Sequence, residues 1–199
     1  TLQETRLPDS GFLREKNYTF FWQGKSTDEL REYGVGFAVR NSLLNMIEPC
    51  QQGNERLISL RLHTTTGVVN LISVYAPTLS ATTDTKDAFY NELDSLIHKI
   101  PKEENFILLG DFNARVGANH HSWPLCLGKF GIGKMNENGQ RLIKMCSYHN
   151  LSITNSFFQT KPQHKVSWSH PRSRHWHQLN LIITRRSAMK GVQLTRTFH

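Results

Sequence analysis

Leu108-Leu109-Gly110-Asp111-Phe112-Asn113-Ala114-Arg115-Val116-Gly117 is the stretch whose reading decides the fold. Its start continues an apolar run, Phe106-Ile107-Leu108-Leu109, short and unbroken as buried strands are. The run ends in Asp111, and Asn113 follows two residues on. Strand alternation therefore predicts a carboxylate and an amide on one face, at a strand's carboxyl end, where open α/β sheets place their ligands. Gly110 permits close approach of another segment, and Gly117 permits a tight turn. In that position Asp111 could orient or deprotonate an attacking water, and Asn113 could donate to a phosphate oxygen. The same letters also suit a strand end closed by an Asx turn.

Working outward, short strand-like runs precede this stretch at Tyr18 to Trp22, Gly34 to Arg40, Leu43 to Ile47, Leu57 to Leu62 and Val68 to Tyr75. Each is bounded by Gly, Asn or a charged turn. Leu57 to Leu62 alternates as a half-buried strand does, whereas Val68 to Tyr75 is almost continuously apolar, as a strand covered on both faces is. From Thr83 to Ile100 the period becomes helical, with Phe89, Leu93, Leu96, Ile97 and Ile100 on one stripe, Thr83 or Asp84 as N-cap, and Pro101 as the stop. A Gly- and Asn-rich loop runs from Gly117 to Asn138. A second helix carries Leu142, Met145, Cys146 and His149, and strands are expected at Leu151 to Thr154, Lys165 to Trp168, Leu179 to Thr184 and Val192 to Thr197. Many strands with two inserted helices predict an α+β sandwich, two sheets facing each other with helices outside.

A length of 199 residues with 38% hydrophobic and 20% charged residues suits one domain, residues 1–199, and leaves no room for a second catalytic one. No apolar run approaches the ~18–20 residues that cross a bilayer, and no basic start leads into an apolar cleavable segment. The chain is expected to be soluble and intracellular. Cys50, Cys126 and Cys146 are odd in number and form no Cys-x-x-Cys pair, so buried free thiols are expected rather than disulfides or a zinc ribbon. The net charge of +8 is unevenly spread. Residues 1–137 hold all 16 acidic residues and 14 of the basic ones, whereas ten Lys/Arg and no carboxylate side chain follow. A basic half favours a polyanion, nucleic acid above all, and any metal site must draw its carboxylates from the first 137 residues.

Gly110-Asp111-Phe112-Asn113 with Gly117, preceded by Leu2-Gln3-Glu4 and Val74-Tyr75-Ala76-Pro77 and followed by Val166-Ser167-Trp168 and Leu179-Asn180-Leu181-Ile182, resembles the endonuclease/exonuclease/phosphatase superfamily in order and spacing. Across its whole length the chain is similar to the apurinic-like endonuclease domain of RTE-type non-LTR retrotransposons and to the related craniofacial development protein 2 family. Phe20-Phe21-Trp22-Gln23-Gly24-Lys25, Lys134-Met135-Asn136-Glu137-Asn138-Gly139-Gln140-Arg141 and Lys161-Pro162-Gln163-His164-Lys165 carry that closer resemblance. The resemblance implies a four-layered α/β/β/α sandwich of the DNase I-like kind that hydrolyses phosphate esters with magnesium or manganese. It implies no small-molecule cofactor. Within it Glu4 matches the metal-binding glutamate, Tyr75 the tyrosine whose phenol contacts the scissile phosphate, and Asp111 and Asn113 the residues that activate water and stabilise the transition state. Trp168 matches the tryptophan of a Ser/Thr-Trp motif near the substrate. The expected partner is nucleic acid, DNA in the family, and the expected location is the nucleus.

Three departures from the family pattern stand out. The family's first strand, with its metal-side asparagine, would precede Thr1, and its final Asp-His pair would follow His199, so the domain is expected to be truncated at both ends. Inside the chain, Asn180 stands where the family has an aspartate that orients and charges the terminal histidine. An amide can hold a ring nitrogen but cannot stabilise an imidazolium by charge; a comparable Asp→Asn change in serine proteases costs about 10⁴ in rate. Catalysis is therefore expected to be impaired. His170, His175 and His177 cluster with Trp168, Trp176, Arg172 and Arg174 without a nearby cysteine, so zinc is not indicated. Basic and aromatic residues interleaved over 161–177 suit a loop that grips a nucleic-acid backbone, and Arg115, Trp168, Arg172 and Arg174 are its candidate contacts. The alternative reading is a relict of the fold that binds nucleic acid without cutting it.

Overall fold

The longest periodic stretches form the elements expected of them. The computed structural model describes residues 1–48 and 53–198, so Cys50 and His199 lie outside the described residues. Its strands are β1 (Leu2–Gln3), β2 (Ser10–Arg14), β3 (Tyr18–Gln23), β4 (Val35–Arg40), β5 (Ile47–Glu48), β6 (Gly53–Asn54), β7 (Leu57–Thr64) and β8 (Gly67–Tyr75). After them come helix α1 (Thr83–Lys99), β9 (Asn105–Asp111), helix α2 (Glu137–Tyr148), β10 (Leu151–Ile153), β11 (Trp168–Ser169), β12 (Trp176–His177) and β13 (Asn180–Arg185). The chain divides into two compact units, Thr1–Ala76 with Asp87–Gly110, and Pro77–Lys86 with Asp111–His199.

The first unit holds an antiparallel sheet in the order β1-β4-β3-β2 and a second sheet in which β9, β8, β7 and β5 are successive neighbours, with β6 also on β7. Val35 and Phe37 of β4 meet Ile58 and Leu60 of β7 and Tyr75 of β8 in one buried cluster. β8 is buried on both faces towards its end, since Ile72 and Val74 are as inaccessible as Ser73 and Tyr75 between them. Gly110 has φ +149, and a Cβ there would fall 1.9 Å from the Val74 carbonyl oxygen, so glycine alone lets β9 run this close to β8. Phe89, Leu93 and Ile97 are the buried stripe of α1.

In the second unit β10 pairs antiparallel with β13, and β11 with β12. Leu142, Ile143, Met145 and Cys146 form the buried face of α2, while Leu151, Ile153, Leu181 and Ile183 are buried on the paired strands. Asn136 caps α2 by accepting the Gly139 N–H. Cys126 and Cys146 are buried free thiols, and burial pushes both thiol pKa values up. Among the described residues no helix is long and apolar enough to cross a membrane.

Four local expectations are corrected. Leu43 to Met46, expected in a strand with Ile47, belongs to the 3₁₀ helix Asn41–Met46, because the Asn41 side chain donates to the Glu15 and Lys16 carbonyls and accepts from Thr19, pulling the backbone out of the ladder. Lys165, expected to open a strand, ends the 3₁₀ helix Pro162–Lys165, so of Lys165 to Trp168 only Trp168 is strand, in Trp168–Ser169. Val192 to Thr197 forms no strand. Thr195 bonds through its hydroxyl to Thr154, and Thr197 meets His164, through its N–H to the His164 carbonyl and its carbonyl to the His164 ring, isolated contacts where a strand needs a ladder. The N-cap of α1 is Thr82, whose hydroxyl accepts the Thr85 N–H, rather than Thr83 or Asp84.

Candidate active site

In the first unit, β1 brings Glu4 out of the sheet. Leu2 and Gln3 pair with β4, and Glu4 then takes a left-handed φ of +54. The Gln3 amide donates to Ser73 on β8, which donates back to the Leu2 carbonyl. The start of the chain is thereby tied to the strand that ends in Tyr75. The Tyr75 phenol is buried and donates to Glu4 Oε1 at 2.7 Å. Arg6 faces the other carboxylate oxygen at 3.8 Å. Arg56 lies over the Tyr33 ring at 3.9 Å and donates to the Tyr75 carbonyl, fixing the strand end from behind. Glu4, Tyr75, Tyr33, Glu32, Arg6 and Arg31 line one open cavity of about 350 Å³. The wall combines hard oxygen donors, which suit a small divalent cation, with two guanidinium groups, which suit a phosphate.

In the second unit Asp111 and Asn113 are brought together, but not by strand alternation. β9 ends at Asp111. Asn113 then has φ +45, and its N–H donates to Asp111 Oδ1 at 2.8 Å, so the pair forms an Asx turn. That strained turn is clamped by α2. The Asn138 amide, 1% exposed, donates to the Asn113 carbonyl at 3.0 Å and to the Pro77 carbonyl at 3.1 Å. Asn136 Oδ1 accepts from Arg115 N at 3.0 Å as well as from Gly139 N, and its own N–H donates to the Arg115 carbonyl. A Cβ at Gly139 would lie 1.8 Å from that carbonyl oxygen, so the helix start and the loop fit only with glycine there. The buried Lys86 ammonium donates to the Leu79 carbonyl and faces Glu137 at 3.5 Å. Lys86, Asn136 and Asn138 were not singled out as functional; the spacing Asn136-x-Asn138-Gly139 at the mouth of a helix is the signal that could have found the two amides.

Asn180 opens β13 with an exposed side chain. Its N–H and that of Leu179 both donate to Ser167 Oγ at 3.0 Å, and its carbonyl accepts from the buried Asn155, whose Oδ1 accepts the Ile182 N–H. The position is thus fixed by two side chains, Ser167 and Asn155, of which the sequence reading quoted only the first. Trp168, part-exposed at 39%, stacks on His177 at 6.0 Å and meets His170 edge-on at 5.6 Å. Arg172 and Arg174 are exposed in the hairpin turn, where Arg174 has φ +57 and His170 Nδ1 accepts the N–H groups of Arg172 and Ser173. Among the described residues the three hairpin histidines do not gather as metal ligands. Arg115 shares a cavity with His175, Trp176 and His177 instead.

Craniofacial development protein 2 of Bos taurus is 33% identical to this chain over 196 residues, covering 98% of the chain and 32% of that protein. The protein of the same name from Tragulus javanicus is 32% identical over 196 residues, with 98% and 33% covered. The chain thus spans about a third of the length of the curated relatives it matches. Among solved structures, the endonuclease domain of TRAS1, a telomere-specific non-LTR retrotransposon, aligns with a TM-score of 0.59 at 12% identity, over 85% of this chain and 65% of that one. Truncated Caenorhabditis elegans TDP2 aligns with a TM-score of 0.52 at 11% identity, over 85% and 62%. At such identities the likeness is one of fold, and it gives the expected α+β, DNase I-like class. The sequence profile described as the Endonuclease/Exonuclease/phosphatase family matches residues 1–184, and with it the sequence relatives and the fold agree: the chain belongs to that family.

Proposed function

We propose that residues 1–199 are a retroelement-derived endonuclease-like domain that acts on DNA, its reaction being metal-dependent hydrolysis of phosphodiester bonds, slowed by Asn180. The observation that carries this reading is the 2.7 Å contact of the Tyr75 phenol with Glu4, a single carboxylate–phenol pair on an open wall beside Arg6 and Arg31. The solved structure of a retrotransposon endonuclease domain with the same fold supports the choice of DNA, and nuclear location follows from that partner.

The donor set fits magnesium or manganese: Glu4 is half-exposed and offers oxygen alone, as hard cations require. When bound there, the metal supplies Lewis-acid polarisation of a phosphoryl oxygen. The rest is the work of side chains. A phenol has one proton, so Tyr75 gives it either to Glu4 or to the phosphate; Glu4 is its resting acceptor. Asn113, by its match to the family motif, is the donor to charge that grows on the phosphate in the transition state. Asp111 orients the attacking water. Asn180 would hold a histidine ring without stabilising its charged form.

Nicking of supercoiled plasmid by the whole chain, with magnesium or manganese, tests this. Slow nicking is expected from the natural sequence, faster nicking from Asn180→Asp in a chain that also carries the family's flanking motifs, and none from Glu4→Gln or Asp111→Asn in that background. If that restored Asn180→Asp chain shows no nicking with either metal, the hydrolase reading fails. The net positive charge of residues 138–199 then favours the second reading, DNA binding without cleavage, which salt-dependent binding unaffected by Glu4→Ala or Asp111→Ala supports.

A further inference from the structure

Arg115, Lys134, His175 and His177 line one cavity of about 430 Å³ with Trp176 and Gln178 beside them, and no carboxylate contributes to its wall. We infer that this cavity is an anion subsite that takes a phosphate group of the nucleic-acid strand. The inference deepens the proposed function: it rests on that reading for the strand and assigns a place for one of its phosphates.

Among the described residues none of these four side chains is in an ion pair. Positive charge is therefore gathered without compensation, and an anion relieves the repulsion. Guanidinium and ammonium groups have no lone pair to give a metal, and among the described residues the two imidazoles join no group of three metal ligands, so the set selects an anion. The groups are also held in place beforehand. Arg115 is fixed through both backbone groups by Asn136. His175, just before β12, and His177 on it have ring centroids 5.3 Å apart, and Trp168 stacks on His177 from the paired strand. The volume lies at the low end of ligand pockets, roughly 300–1,000 Å³, which suits one unit of a strand. Half-exposed Trp176 offers that unit's base a ring.

The groups facing His177 are Arg115 from the loop after β9, Lys134 from the loop before α2, and His175, His170 and Trp168 from the hairpin. Burial, then the Arg115, His175 and His170 charges, hold its pKa below the ordinary value. A bound phosphate opposes the like charges and raises that pKa, so binding takes up protons and strengthens as pH falls through the histidine range.

The test titrates a short single-stranded deoxyoligonucleotide, and separately inorganic phosphate, onto the whole chain at about pH 6 and about pH 8, on either side of the histidine range. Affinity and the His175 and His177 ring resonances are followed together. The expected result is tighter oligonucleotide binding at the lower pH, with both rings shifting. Lys134→Gln combined with His177→Gln should weaken binding about tenfold and reduce the salt slope by roughly 0.7 per lost single-strand phosphate; Lys134→Arg should retain both. An unchanged melting temperature shows that the double variant still folds; should it not fold, the ring shifts and pH dependence of the natural chain decide. Oligonucleotide binding that leaves both rings unmoved overturns the subsite, as does a shift produced by inorganic phosphate alone while the oligonucleotide binds elsewhere. No oligonucleotide binding even at low salt overturns the nucleic-acid reading itself.

Discussion

A single buried amide separates a turn that is merely present from one that is held. Asn138 spends its two N–H donors on the carbonyls of Pro77 and Asn113, and no hydrocarbon or carboxylate of similar size can do the same. Asn138→Ala leaves those acceptors without their donor, which should cost about 1–3 kcal/mol in urea unfolding. Asn138→Asp should cost at least as much at neutral pH, because it aims a negative charge at two carbonyl oxygens. The structural loss alone predicts equal nicking per folded molecule in an Asn180→Asp background. The clamp on Asn113 predicts instead a fall in kcat with KM little changed, since the φ of +45 is then no longer imposed on the proposed transition-state donor. Equal kcat in the folded Asn138→Ala variant would contradict a positioning role for this residue.

Whole elements were legible where the chain repeats one signal for long enough. β8, β9, α1 and α2 were foreseen because apolar runs and a 3.6-residue stripe extend over several turns or pleats. Asp111 and Asn113 were legible as candidates because they stand at the end of such a run, and Tyr75 through the family resemblance alone. What brings Asp111 to Asn113 is the Asx turn that the same letters allowed beside alternation, since a turn two residues long obeys side-chain hydrogen bonding. The Asn41 and Asn138 contacts span 22 and more residues, and no local pattern announces them. The same holds for the ion network at the sheet edge. Arg61 on β7 pairs with Glu48 on β5 at 2.8 Å and with Glu104 just before β9, while Asn70 on β8 donates to Glu104 and His63 bonds Glu48. Hydrogen bonds from His63 and Arg61 hold the Glu48 carboxyl below its usual range, and those from Asn70 and then Arg61 do so for Glu104 despite some opposing burial. A carboxyl depressed in the folded state stabilises it above the unfolded pKa and loses that contribution as pH falls through the folded value. Urea unfolding should therefore weaken from about pH 4.5 downward, and Arg61→Ala should flatten that slope. An identical slope in the variant would show that these bonds do not set it.

At the scale of the molecule, the charge belongs to one unit. Residues 77–86 and 111–199 carry 14 Lys/Arg against three acidic residues, Asp84, Asp111 and Glu137, a net of +11. Residues 1–76 and 87–110 carry ten against 13, a net of −3. Of the three acids in the basic unit, Glu137 is already engaged by Lys86 and Arg141. The field of this unit therefore suits phosphates, and solubility alone would not require such an imbalance between units. Binding of duplex DNA should weaken steeply with salt, since each phosphate neutralised contributes roughly 0.9 to the slope of log K against log salt. Arg172 and Arg174 stand exposed in the hairpin turn, beside rings that can meet sugar and base edges. Replacing both by glutamine should lower that slope by nearly 2 if each contacts a phosphate, weaken all duplex sequences alike, and leave the urea midpoint unchanged. Replacing Arg14 and Lys16, exposed at the β2–β3 turn of the other unit, should change neither slope nor affinity. Equal losses from the two pairs would mean that net charge, and not the hairpin surface, governs the encounter.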